Sequence, residues 1–332
     1  MDCRPGQVLV RQFSGQGSIP VSIRYTQCME KRALGRTGME VSVLGFGGAE
    51  IGFQKSPQEN VTRLLNAALD AGLNVIDTAE CYGGTEDHAS SEDLIGDALS
   101  HRRNDFFLFT KCGHAAGFAN EEDWDPKMLE QSIERSLKRL KTDCVDLLQL
   151  HSCSEALLKT GDVIEVLHRA RAAGKTRFIG YSGDNEAAIY AVTSCPFDTL
   201  QTSINIADQS VLDTVIPSAR YNGLGVIAKR PIANAAWLSG ETPPANGYIK
   251  PYWDRLSELN YPFLHTPDAV SFALRYTLSI PGVHTAIVGT QNPDRWAANA
   301  RLLDGGPLSK AEIETIRTRW EETRRPDWTA QG

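Results

Sequence analysis

Long hydrophobic runs are missing from this chain: no stretch approaches the ~18 apolar residues that a membrane span needs, so a spanning protein is not expected. Metal-ligand spacing is missing too. The seven cysteines include no C-x-x-C pair, and His88, His101, His114, His168, His265 and His284 show no metal spacing. A structural zinc site and a metal-dependent hydrolase, which would want a His-x-His or carboxylate cluster at strand ends, are therefore not expected. An excess of positive charge is also missing, with 34 Lys and Arg against 41 Asp and Glu. With a net charge of -7 and a pI near 5.6, the chain offers no nucleic-acid surface and little attraction to an anionic membrane, although a local basic pocket for a phosphate remains open. Internal repeats and low-complexity blocks are absent. Scattered thiols in a chain of 332 residues fit a reduced, cytoplasmic protein whose cysteines are small buried hydrophobes.

What is present is the composition of an ordinary globular protein, 41% hydrophobic and 23% charged. Residues 1–28 lack the apolar core of a secretory signal and read as a weakly ordered or disordered extension, with Met29 an alternative start. An organelle transit peptide is the other reading, since Arg and Ser outnumber acids there. A single domain is expected over 29–325, followed by a tail over 326–332. Lys31 to Leu44, around a turn bounded by Gly35 and Gly38, reads as a β-hairpin. Strand-like segments then recur near 43–46, 74–77, 106–110, 145–150, 176–180, 199–204, 224–228 and 285–288, separated by helical patterns. Helix starts are marked by Ser56-Pro57-Gln58-Glu59, Ser309 with Glu312, Asp125-Pro126, Thr266-Pro267 and Asn292-Pro293. Eight strand–helix units predict an α/β fold, a (β/α)8 TIM barrel with an N-terminal β-hairpin. The longest connection, Ile232 to His265, follows strand seven and belongs to the functional face, where Trp237 and Trp253 are either packing or a substrate wall. Gly223-x-Gly225-x-x-Ala228 has a dinucleotide-binding spacing but precedes a strand instead of opening a helix, and is discarded.

Three successive apolar strands finish on ionisable groups: Asp77, Lys111 and His151, with Tyr82 on the loop after Asp77. Alone, Asp77 and Lys111 could be a structural ion pair, because a buried carboxylate needs a partner. At adjacent strand ends of a barrel, all four converge on one mouth. A Lys beside a Tyr is expected to lower the phenol's pKa by favouring phenolate. Asp77 would hold Lys111 charged, and His151 could orient a carbonyl oxygen or assist proton transfer. Cys81 and Cys112 flank these residues, so their oxidation is expected to impair the site.

On these residues, together with R-x-L-G-R-T-G-x-x-V-S-x-L-G-F-G-G at Arg32 to Gly48, D-x-x-x-x-Y-G at Asp77 to Gly83 and G-T-x-N-P-x-R-x-x-x-N at Gly289 to Asn299, the sequence resembles the aldo-keto reductase family. The resemblance implies hydride transfer between a nicotinamide cofactor and an aldehyde, ketone or sugar carbonyl, with Tyr82 as proton donor assisted by Lys111, Asp77 and His151. It further implies that Ser182 and Gln201 hold the nicotinamide carboxamide, that Arg295 and Asn299 hold the adenosine end, and that Gly289 and Thr290 open a helix facing the 2′-phosphate. This chain departs from the family in three places. Gly183 stands where many members have Asn. Lys229-Arg230-Pro231 stands where many have a stacking aromatic, and Lys229 and Arg230 are expected at the diphosphate instead. Gly289 replaces a Lys, leaving Arg295 as the main charge for NADP, with NAD possible. A cofactor-binding auxiliary subunit on the same fold is the alternative, against which stands the complete set of four mouth residues. The partner expected is a small carbonyl or alcohol substrate, and the oligomeric state is open.

Overall fold

A computed structural model describes residues 29–85, 88–114 and 122–331. The proposed extension over 1–28 lies outside the described residues. Eight parallel strands close into a barrel: Leu44–Gly47, Val75–Asp77, Phe107–Cys112, Val145–His151, Thr176–Ser182, Thr199–Ser203, Gly225–Lys229 and Thr285–Val288. We number them one to eight. Closure is made by strand eight on strand one, with Ala286 opposite Leu44 and Val288 opposite Phe46. A hairpin of Lys31–Ala33 and Glu40–Ser42 precedes the barrel, with Arg32 opposite Val41. The expected fold and hairpin are therefore both present, and among the described residues no helix is long and apolar enough to cross a membrane.

Burial on both faces of the strands separates two apolar regions. Outside the barrel, residues such as Leu64, Leu65 and Ala68 of the helix Gln58–Asp70 pack on the outward strand positions. Inside, Val75, Phe109, Leu147 and Ile227 meet Leu34, Met39 and Val41 of the hairpin, so the hairpin plugs the N-terminal end of the barrel. The opposite end, where the strands finish, is left for polar groups.

Helix starts follow the expected chemistry in part. Asp125 accepts hydrogen bonds from the Lys127 and Met128 N–H groups at 2.9 and 3.1 Å, and Ser309 with Glu312 forms a reciprocal capping box. Ser56 does not cap. Extended Pro57 is itself the N-cap of Gln58–Asp70, which puts Ser56 one residue too early to reach the first-turn N–H groups. Thr266 bonds back to Phe263 O at 2.8 Å, and the helix begins only at Ala269, after Asp268. Asn292 accepts from the Asp294 N–H at 2.9 Å in a turn, and that helix begins at Arg295. A box at Ser90 with Asp93, starting Ser91–Leu99, was not anticipated. On the helix Pro126–Leu140, Glu134 pairs with Lys175 of a neighbouring element. Beyond residue 325 the chain runs back over the barrel: Trp328 packs against Trp320, and the Ala330 N–H bonds Asn185 Oδ1 at 3.0 Å.

Candidate active site

Strand two is only Val75-Ile76-Asp77, all buried, and it delivers the Asp77 carboxylate to the C-terminal mouth. One oxygen of Asp77 lies 2.6 Å from Lys111 Nζ, from the end of strand three, and both side chains are 1% exposed. The other oxygen accepts from Gln201 Nε2 at 2.9 Å. Lys111 Nζ also donates to Thr78 O at 2.8 Å and reaches the Tyr82 hydroxyl at 3.5 Å. A buried charge is thus paired and its remaining donors are used, the condition for keeping an ammonium out of water.

Tyr82 is held by a turn, its N–H bonding Ala79 O at 3.1 Å and its carbonyl accepting from Ser91 at 2.9 Å. The helix Ala49–Phe53 presses against that carbonyl at Gly52, where a Cβ would lie 2.1 Å from Tyr82 O, so only glycine fits. Phe53, 59% exposed, sits with its ring 5.5 Å from the Tyr82 ring at the lip of the mouth. His151 presents its ring to Tyr82 at 5.6 Å, edge-on. Strand register places His151 level with Ser182, and Ser182 level with Gln201. His114 also reaches the mouth, 5.3 Å from the His151 ring, and Trp124 packs on it. The four residues expected to converge do so.

The electrostatics differ from expectation at Tyr82. Burial pushes its phenol up to about 12, and Lys111 offsets this only partly because Asp77 acts in the opposite direction. A Lys neutralised by its own carboxylate has little net field left for the tyrosine. For Lys111, burial works against the charge, but Asp77 overrides it and the ammonium is held above its usual value. His151 is driven well below its ordinary pKa by burial and by the surrounding cations Lys111, Lys229 and Arg230, so it is neutral at pH 7. Burial lifts Cys81 to about 11 and raises Cys112 further, so both stay thiols.

Ser182 Oγ donates to Gln201 Oε1 at 2.8 Å, and Gln201 in turn donates to Asp77. That leaves the lone pairs of Ser182 Oγ and one N–H on Gln201, a donor and acceptor set that fits a carboxamide. Gly183 has a structural reason: a Cβ there would lie 2.3 Å from the Tyr181 hydroxyl, which excludes Asn. Lys229 and Arg230 are anchored on Asp184, at 2.8 and 3.7 Å. Asp184 also accepts from Thr202 Oγ1 and the Ser203 N–H, both at 2.8 Å. Its burial raises the pKa, but Lys229 and these donors win and lower it. Sequence reasoning missed Asp184; the only available signal was an acid just past a strand end in a chain whose next strand but one ends in Lys-Arg.

Gly289 and Thr290 do not open a helix. Strand eight ends at Val288 and the helix begins at Arg295, so both lie in the connection between them, with Thr290 Oγ1 accepting the Asn292 N–H at 3.2 Å. Arg295 and half-buried Asn299 lie on that helix, Arg301 being its last residue. Glu50, also missed, approaches Gly289: its Cδ is 3.2 Å from where a Gly289 Cβ would be. Burial raises the Glu50 pKa and the nearby Arg295 lowers it. Trp253 donates to Gly240 O at 2.8 Å and serves packing, while Trp237 is half-buried against the core. Among the described residues no group of three or more His, Cys, Asp or Glu could hold a metal ion.

The architecture and these residues can be set beside known proteins. The model of the Aldo/keto reductase family matches residues 43–321, which includes all eight barrel strands. The chain belongs to the aldo/keto reductase family. It is similar to the L-galactose dehydrogenase of Arabidopsis thaliana, 30% identical over 291 residues that cover 83% of this chain and 88% of that protein. The 6-dehydroglucose reductase of Novosphingobium aromaticivorans is 27% identical, over 90% of this chain and 93% of that one. Among solved structures, the holo form of aldo-keto reductase AKR11C1 from Bacillus halodurans superposes with a TM-score of 0.76 at 25% identity, covering 90% of this chain and 99% of that chain. As a member of this family the protein is an oxidoreductase of the type that uses a nicotinamide cofactor on small molecules.

Proposed function

We propose that the protein transfers a hydride between NADP and the carbonyl of an aldehyde, ketone or sugar, with Tyr82 as proton donor. The observation that carries this reading is the continuous contact Asp77–Lys111–Tyr82 with neutral His151 beside it at a single mouth. The bound nicotinamide supplies or accepts the hydride; the rest is done by the chain's own residues. Ser182 and Gln201 would hold the carboxamide of the nicotinamide through the Ser182 hydroxyl oxygen and the remaining Gln201 N–H. His151, uncharged, donates a hydrogen bond to the carbonyl oxygen and aligns it with the Tyr82 hydroxyl. Tyr82 gives its proton to that oxygen as alkoxide charge develops, and the Lys111 ammonium receives the phenolate that remains. A phenol with a pKa near 12 is fully protonated at neutral pH and is a fit donor for the reductive direction. Lys229 and Arg230, braced by Asp184, would hold the diphosphate.

At the adenosine end two groups act in opposite directions. Arg295 favours a 2′-phosphate and Glu50 disfavours it, and the assignment of NADP rests on the exposed Arg295 guanidinium reaching the phosphate while NAD is the cofactor Glu50 favours. The similarity to a sugar dehydrogenase and a reductase of an oxidised sugar directs the search for substrate to polyhydroxylated aldehydes, ketones and their alcohols. The test is oxidation of NADPH and of NADH by the purified protein across such a panel. Turnover with at least one carbonyl supports the reading. Tight cofactor binding with no turnover on any substrate would replace it with an auxiliary role.

A further inference from the structure

Cys81 lies in the turn before Tyr82, and its sulfur is 3.4 Å from His151 Nδ1, within hydrogen-bond reach for sulfur. Among the described residues it is the only side chain hydrogen-bonded to His151. The usual arrangement in a working histidine is different: Nδ1 carries the proton and donates it to a carbonyl or carboxylate. Here Nδ1 faces neither. It faces a group that is a weak acceptor and a donor of one proton, while an unprotonated imidazole nitrogen is a good acceptor, so S–H to N is the stronger of the two possible arrangements. Both partners are in the right state for it. Burial and the neighbouring Lys111, Lys229 and Arg230 keep the imidazole neutral, with one proton to place, and burial keeps the sulfur a thiol. The Cys81 backbone cannot drift, since its carbonyl accepts from the Gly83 N–H at 3.1 Å and the Tyr82 N–H is tied to Ala79.

We propose that Cys81 is a positioning residue: its thiol donates to His151 Nδ1, which fixes the ring in the Nε2–H tautomer and leaves Nε2–H as the donor to the substrate carbonyl. This rests on the reading of His151 as the group that orients the carbonyl. The opposite tautomer would turn a bare nitrogen lone pair toward the carbonyl oxygen and repel it. No proton leaves the thiol during the reaction, so the sulfur needs neither a low pKa nor redox activity.

The test uses the full chain with 15N-labelled histidine. Two-dimensional 1H–15N spectra at neutral pH, with His151 assigned by its disappearance in His151→Gln, report the tautomer directly. Wild type is expected to show Nε2–H alone. Cys81→Ala is expected to shift His151 toward a mixture and to lower kcat by about three- to tenfold, what one ordinary hydrogen bond supplies, with the cofactor Kd unchanged. Cys81→Ser, which keeps a donor, is expected to restore the wild-type tautomer and most of kcat. The proposal is overturned if wild-type His151 carries its proton on Nδ1, or if Cys81→Ala leaves the tautomer as it was, whatever happens to activity. A retained kcat in Tyr82→Phe would remove the catalytic reading while leaving these spectra as they are, so the two failures are distinguishable.

Discussion

The two ends of the same eight strands behave as different materials. At the N-terminal end, Leu34, Met39 and Val41 of the hairpin close on Val75, Phe109, Leu147 and Ile227, and the interior is apolar and filled. Two residues further along the same strands, Val75 gives way to Asp77, Phe109 to Lys111 and Ile227 to Lys229, and four residues further Leu147 gives way, after Gln149, to His151. Because inward positions recur every second residue, one or two steps of that period convert a hydrophobic plug into a charged mouth. The plug is held by burial and is insensitive to chemistry; the mouth is held by pairing and fails if one partner is removed.

That contrast can be broken from either side. The largest effect is expected from Lys111→Met, which strands the Asp77 carboxylate in a buried position: stability should fall by about 3 to 5 kcal/mol, and activity should be lost in whatever fraction still folds, as chemical denaturation and turnover assays would show. Phe109→Ala, in the plug, should cost about 3 to 5 kcal/mol through its cavity yet leave kcat of the folded enzyme within a few-fold of wild type. Comparable loss of kcat in both variants would abolish the distinction between the two ends.

A smaller effect sharpens the point in the helical layer beside the mouth. Glu92 is fully buried, accepts from Thr110 at 2.6 Å and has Arg139 only at 3.7 Å; burial raises its pKa from 4.5 to about 7. A carboxyl raised on folding is more easily ionised in the unfolded chain, so between pH 4.5 and about 7 the unfolded state has already lost the proton the folded state keeps. Stability therefore falls as pH rises through that window. Glu92→Gln should gain about 2 kcal/mol over wild type at pH 8, and the gain should vanish below pH 4, measured as thermal unfolding against pH. A pH-independent difference would contradict the assignment.

How much of this was legible before the fold was known depended on whether the signal was local. Val75-Ile76-Asp77 and the strands ending at Lys111 and His151 announce themselves, because a buried run that stops on an ionisable group is a pattern along one strand. The caps at Asp125 and Ser309 are equally local. Ser56 and Thr266 misled because a proline one residue later moved the helix start beyond their reach. Asp184 was invisible since its partners, Lys229 and Arg230, meet it only through the register of strands five to seven. Glu50 and Gly289 meet only because strand eight closes on strand one. The Tyr82 phenol was misjudged for another reason: the sign of its shift depends on how much burial outweighs an ammonium already paired with Asp77, and burial is a property of the assembled mouth.

The central claim is that Tyr82 delivers the proton, and single-turnover reduction by Tyr82→Phe tests it most directly, with cofactor binding followed in parallel by fluorescence. The account predicts unchanged cofactor affinity and a chemical step slowed about 100- to 10,000-fold, the range supplied by a positioned proton donor. A chemical step within a few-fold of wild type would contradict it and move the donor to another group in the mouth.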